Sequence, residues 1–451
     1  MMDSLQSLRR LVAIVVCSIA ALVVAIGSAE ALPSYARQTG QQCAACHNGF
    51  PELTPYGRLF KLNGYTFGGG QSDLPPLAMM VTADYTHTQA GQAGGAAPHY
   101  GPNNNFAVPD TASIFYGGRI LGDYGLGAFA QATYSQTGRT FSWDNTDIRW
   151  AKATTIYGDE TVFGVSLNNN PTVTDLWNTT PAWRYPFLSS SLAPTPAAAT
   201  MIENTYAQQV AGLNVYGLWR RLVYAELGGY TTLTKGVDQA FGEGIGSDSF
   251  KGIAPYWRVA LQPVWGPNSF EIGTFGMAAN INPARTTGFG TDHKTDIGFD
   301  VQYQYLTDRH SVSAQASWIS EHQHLDSTFA QGGSSSLDDD LHSFNAKATY
   351  YYDQTYGATL GYSRLQGSGD AGLYNSASPI ANSPNSDWWT VEADYMPFNR
   401  GGPDFWPWLN MKLGLQYIWY TKFNGATSNI DGAGRKASDN NTLFAFAWFA
   451  F

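Results

Sequence analysis

From Pro76 to Phe451 the chain repeats one grammar: about ten residues of alternating apolar and polar side chains, then a turn or loop. Ile297, Phe299, Val301, Tyr303 and Tyr305 fall on one face of such a stretch, and Asp296, Gly298, Asp300, Gln302 and Gln304 on the other. Trp389, Val391, Ala393 and Tyr395 oppose Thr390, Glu392 and Asp394. Leu409, Met411, Leu413, Leu415, Tyr417 and Trp419 oppose Asn410, Lys412 and Gln416, and Val312, Ala314, Ala316 and Trp318 oppose Ser313, Gln315 and Ser317. A period of two is the period of a strand, so the chain reads as all-β. Alternation alone leaves two architectures open. A soluble β-sandwich buries its apolar face, whereas a transmembrane barrel turns that face to lipid and the polar face to a wet lumen.

Connection lengths separate the two. About sixteen strands start near residues 77, 111, 125, 146, 160, 204, 222, 256, 269, 295, 310, 343, 356, 388, 409 and 442, an even number. Short links centre on Gly122-Asp123, Gly158-Asp159, Arg220-Arg221, Gly266-Pro267, Thr307-Asp308 and Gln354-Thr355, with a longer turn at Asn399 to Gly402. Long ones cover about 90–110, 137–145, 170–203, 232–255, 280–294, 321–342, 366–387 and 421–441. Short turns on one side and long loops on the other are the asymmetry of outer-membrane barrels. Composition agrees: aromatics are 14% and charged residues 13%, with 48 glycines. Past residue 31 no apolar run approaches the ~18 residues of a membrane helix. The expectation is therefore a transmembrane antiparallel β-barrel spanning 76–451 in the bacterial outer membrane, with its long loops outside. Its closing segment, Leu443 to the terminal Phe451, resembles the signal read by the outer-membrane assembly machinery.

Ahead of the barrel, Arg9 and Arg10 precede an apolar stretch from Leu11 to Ile26, and Ala29-Glu30-Ala31 supplies small residues for cleavage. Residues 1–31 read as a secretory signal peptide, with Cys17 inside it. The formal charge of −10 argues against nucleic acid as a partner, because phosphate binding needs basic patches.

Between the two lies Cys43-Ala44-Ala45-Cys46-His47, the C-x-x-C-H pattern of c-type haem attachment. Cys43 and Cys46 can form thioethers to one covalent haem, and His47 can reach its iron as proximal ligand. A disulfide or half a zinc site are the rival readings, but zinc wants two more ligands nearby and the next histidine is His87. The haem-binding segment, 32–75, has roughly 44 residues, too few to bury a core unaided. It is therefore expected to plug the barrel lumen. Arg58 and Lys61, on a short helix over Tyr56–Leu62, are candidates to pair with the haem propionates, or are solvated helix charges. For the sixth ligand Met80 is favoured over Met79, His87 and His99, because Met80 shares the lumen face with Thr82, Asp84 and Thr86. The iron ligands expected are thus His47 and Met80. Farther on, His322, His324, Asp326, Asp338, Asp339, Asp340 and His342 in the 321–342 loop could attract a divalent cation or be merely solvated.

Tyr35-Ala36-Arg37-Gln38-Thr39-Gly40, Phe50-Pro51, Leu53, Tyr56-Gly57-Arg58, Phe60-Lys61 and Gly64-Tyr65 surround the haem motif. In these residues, and in one N-terminal haem followed by about sixteen strands, the chain resembles the fused monohaem cytochrome–porins of bacterial outer membranes. Asn168-Asn169-Asn170-Pro171-Thr172 through Trp183 looks family-like too. The resemblance implies an oxidoreductase of the iron:cytochrome c type, which oxidises extracellular Fe(II) and passes the electron through the haem to a periplasmic c-type cytochrome. It needs no general acid, base or nucleophile, and no hydrolytic motif stands out. Three alternatives remain at this point: an electron conduit for a non-iron partner, a transport porin whose haem segment is a gate, and a soluble secreted cytochrome.

Overall fold

The computed structural model describes residues 33–68, 75–240, 248–403 and 406–451. The expected signal peptide lies outside them. All nineteen strands among the described residues belong to one antiparallel sheet. Three are two or three residues long, Asn105–Ala107, Ser249–Phe250 and Val264–Trp265. The other sixteen, from Leu77–Thr88 to Thr442–Ala450, form the wall. The sheet closes on itself, the first strand pairing with the last from Met80 opposite Ala450 to Thr88 opposite Thr442. Closure pairs the edge groups that an open sheet would leave free. The protein is a closed sixteen-stranded antiparallel barrel.

The two faces divide as the alternation requires. Along Asp292–Leu306, Ile297 and Phe299 are 44% and 52% exposed on the outside, while Asp296, Asp300 and Gln302 are at most 3% exposed within. Such a surface wastes its apolar area in water and suits lipid.

Most strands begin within a few residues of their expected starts, and the departures have physical causes. Thr140–Ile156 begins before residue 146, because the expected loop 137–145 is largely a hairpin pairing Ser135 with Thr140 and interrupted by a bulge at Ala130/Ala132. His310–Leu325 and Asp338–Tyr352 stay paired as far as His324 opposite Asp338, so only 326–337 loops. There both faces are polar, and alternation fades although the backbone ladder continues. Val210–Trp219 starts later than 204, after a π turn at Met201–Thr205.

Two segments fill the lumen. Residues 33–67 enter it as three short helices, Pro33–Thr39, Cys43–Cys46 and Pro55–Leu62. Thr54 caps the last of these, its hydroxyl accepting from Gly57 N at 3.2 Å, with Pro55 in the first turn. Residues 169–209, which link Asp159–Asn168 to Val210–Trp219, fold inward as a strap. Leu176 and Trp177 of the strap are buried. The Trp177 indole donates to Gln262 at 3.0 Å, and its carbonyl accepts from Gln302 at 2.6 Å and Gln315 at 2.9 Å.

Two buried arginines deep in this lumen are paired with carboxylates. Arg258 has no side-chain exposure and lies 2.6 Å from Asp300, 3.3 Å from Glu271 and 3.5 Å from strap Asp175. Arg149 pairs with Asp147 at 2.6 Å and donates to strap Thr174 O at 2.9 Å. Replacing one member of a buried set leaves the others uncompensated, at about 3–5 kcal/mol. Arg258→Met is therefore expected to lower the urea midpoint of the lipid-folded barrel by that equivalent. An unchanged midpoint would mean that water screens the cluster.

Candidate functional site

One helical turn, closed by His47 N donating to Cys43 O at 2.9 Å, gathers Cys43, Cys46 and His47. The following helix is pressed against it: Thr54 Oγ1 donates to Ala45 O at 2.6 Å, and a Cβ on Gly57 would stand 2.2 Å from Cys46 O. Only glycine permits that approach. The wall fixes the segment too. Ala44 N donates to Asn399 O at 2.9 Å, Gly49 N to Gln354 Oε1 at 2.8 Å, and Tyr65 Oη to Asp147 at 2.6 Å.

These three residues line a cavity of about 420 Å³ between plug, strap and wall. Its apolar walls include Tyr35, Phe50, Leu53 and Phe60 of the plug, Phe115, Phe129 and Trp448 of the barrel, and Trp183 and Phe187 of the strap, and polar side chains such as Gln131, Asp144 and Asn410 line it too. His47 Nδ1 lies 2.9 Å from Pro51 O, which can only accept, so Nδ1 carries the proton and Nε2 the lone pair. Burial lowers the imidazole pKa to about 4, keeping it neutral. Phe50 stands edge-on to His47, with ring centroids 5.2 Å apart, and Trp448 edge-on to Phe50 at 4.8 Å. Cys43 and Cys46 are free thiols, and burial pushes them up to about 11 and about 12. Two thiols and a neutral imidazole facing an apolar cavity are a donor set that could hold a covalent metalloporphyrin.

The remaining expected residues divide. Met80 lies on the lumen face, packed between the Phe60–Tyr65 cluster and Phe50–Trp448. Lys61 lines the cavity, its ammonium 4.8 Å from the Trp183 ring centre and bonded to Val173 O and Asp175 O, both at 2.7 Å. Arg58 points the other way, to Gln302 at 2.6 Å, Gln304 and Ser269 on the wall. His87 bonds Asn104 at 2.7 Å, and neither it nor His99 lines the cavity. Sequence reasoning missed Met396, Trp183, Arg184, Phe187 and Trp448. Of these, Trp183 ends the stretch that looks family-like, and Trp448 carried the lumen parity it shares with Phe444 and Phe446. At the far end of the barrel, His322–Asp340 (3.0 Å) and His324–Asp338 (2.6 Å) are exposed cross-strand pairs. No group of three or more metal-ligating side chains is poised for a cation among the described residues.

No protein-family profile and no curated protein matches the chain. Solved structures similar to it include OmpF of Salmonella typhi in complex with daunomycin, at 12% identity and TM-score 0.45 over 83% of this chain and 97% of that one. The outer-membrane channel DcaP of Acinetobacter baumannii is similar at 12% identity and TM-score 0.43, over 83% and 96%. A loop-deletion form of OmpT of Vibrio cholerae is similar at 10% and 0.42, over 83% and 98%. The likeness extends to the barrel and no further.

Glu52 joins plug to wall. It bonds Gln304 at 2.7 Å and pairs with Lys347, both partners almost wholly buried. Burial alone would raise its carboxyl, but the Lys347 ammonium and the hydrogen bonds outweigh it and hold the pKa below the usual carboxylate range. A depressed folded pKa stabilises docking fully above the free value of about 4.3, and that contribution is lost as pH falls from there through the lower, folded value. Glu52→Gln should accordingly make residues 33–67 protease-sensitive at neutral pH, and the parent should become so only in acid. Equal sensitivity of both at every pH would refute the tie.

Proposed function

We propose that the chain is an outer-membrane monohaem cytochrome–porin that moves electrons, not solutes, across the membrane. The donor is extracellular Fe(II) and the acceptor a periplasmic c-type cytochrome. The observation that carries the reading is the placing of Cys43, Cys46 and His47 on an aromatic cavity inside a filled barrel. A bound haem would supply a one-electron Fe(III)/Fe(II) couple, tuned by axial ligands, hydrogen bonding and burial. Cys43 and Cys46 would hold it covalently and His47 Nε2 would ligate it. The Pro51 carbonyl fixes the ring that does so, as outer partners of ligating histidines commonly do. Met80 is the residue proposed for the sixth position. Phe50, Phe60, Phe129 and Trp448 give the cavity its apolar walls, and the strap stands between it and the outer loops. The plug presents the cavity's other side to the short turns, where a carrier could dock.

A second reading has its own support. The similar solved structures are porins and channels, and this lumen is polar, so a transport porin with a haem-bearing gate is consistent with the fold. It requires both plug and strap to move, at the expense of the ion pairs around Arg258 and Glu52. Planar-bilayer conductance separates the two readings, the conduit predicting closed membranes and the gate predicting open steps.

Stopped-flow mixing of the oxidised protein with ferrous iron is expected to reduce the haem band. A band that stays oxidised removes iron as donor. His47→Ala should abolish the low-spin spectrum, and Met80→His should lower the potential, since methionine ligation raises it. An unchanged Met80→His spectrum would remove Met80 as ligand.

A further inference from the structure

The walls of the cavity are unevenly satisfied. Three buried donors on them have no acceptor: Tyr35 Oη, Trp448 Nε1 and Arg184 Nη1. Among the described residues, no buried carboxylate or amide oxygen on the same walls is left without a donor. An unpaired buried donor costs about 1–3 kcal/mol, so walls of this kind suit a ligand that brings acceptors. Haem c brings two carboxylates, on the part of its rim away from the thioether carbons.

We infer that Arg184 is the anchor for a haem propionate. The inference rests on the haem reading above. Arg184 reaches the cavity on the strap, while the cysteines reach it on the plug. Its guanidinium pairs with Glu203, which also accepts from Ser343 Oγ at 2.6 Å. The plug's own tie to the same strand, Glu52 with Lys347, lies four residues nearer the short-turn end, about 13 Å along it. Arg184 is thus held well above the cysteines, on the side where the carboxylates of a thioether-bound porphyrin would point. Glu203 uses one arm of the guanidinium and leaves Nη1 without a partner on a residue that lines the cavity, which suits a second carboxylate. The alternatives are less suited. Arg58 is off the cavity, and the Lys61 ammonium is engaged by two strap carbonyls. The other charged side chains on the cavity are Asp144, bonded by Thr133 at 2.8 Å and by Asn145 N, and Lys412, held by Glu392 and Asp394. Arg184 would also tie the strap to the cofactor, so that the segment dividing the cavity from the outer loops is ordered by haem.

The test is equilibrium redox titration of the full-length, haem-loaded protein across pH, with haem staining of denatured protein as the control. Arg184→Leu removes a cation and is expected to lower the midpoint potential by about 59 mV, a tenfold change in the one-electron equilibrium constant. Its propionate-linked inflection should move to higher pH. Glu203→Gln removes an anion beside the same guanidinium and should raise the potential. Opposite shifts support the anchor, because mere loosening of the strap would move both variants the same way. Haem-stained variants with the parent potential and pH profile, or with shifts of one sign, overturn it. Should Arg184→Leu fail to fold, Glu203→Gln carries the test alone: a rise supports the anchor and an unchanged potential overturns it. Parent protein that does not stain for haem overturns the cofactor reading instead.

Discussion

Sixteen strands enclose a lumen wider than their own inward side chains can fill, and barrels of this size ordinarily leave an aqueous channel. Here the chain fills the space with itself. A segment inserted among polar wall residues cannot be held by apolar contact alone. It must meet the hydrogen-bonding needs of every group it desolvates. The strap does so through Asp175, whose carboxylate accepts from Trp177 N, Thr179 N and Thr180 N while facing Arg258. The plug does so through Glu52 and Arg58, which share the strand Asp292–Leu306, and through Tyr65, which bonds Asp147 on another.

That demand gives the interior two characters. Across most of the lumen the side chains are polar and paired, which rigidifies it. Between plug and strap lies a cavity lined by rings, where His47 is kept neutral by burial. A filled lumen insulates, and an apolar cavity within it stabilises a large flat cofactor. The proposed conduit uses both properties, and a solute channel uses neither.

Much of this could be read from residues. The strict alternation around Asp296–Tyr305 identified the wall and its two faces, and parity placed Met80 on the lumen face, whereas Met79, expected to face lipid, also lines the cavity. Where polarity covers both faces, as at His322–His324, the pattern disappears and paired strand reads as loop. The path of the strap was not legible. Thr172, Thr174, Thr179 and Thr180 resemble an exposed loop, and their burial depends on partners such as Glu226, Asp300 and Arg258 that are distant in sequence. For the same reason Arg184 and Phe187 could not be assigned to a cavity wall, while Arg58, on the expected helix, points to Gln302 instead. Helical periodicity gives a side chain's neighbours on its own helix, not the wall it will meet.

The most direct test of the account asks whether electrons cross the barrel while solutes do not. The haem-loaded protein is inserted into liposomes enclosing oxidised cytochrome c and a small dye, and ferrous iron is added outside. Reduction of the enclosed cytochrome with the dye retained is the predicted result. Rapid dye loss, or an enclosed cytochrome that stays oxidised while the barrel is folded and coloured, would contradict it.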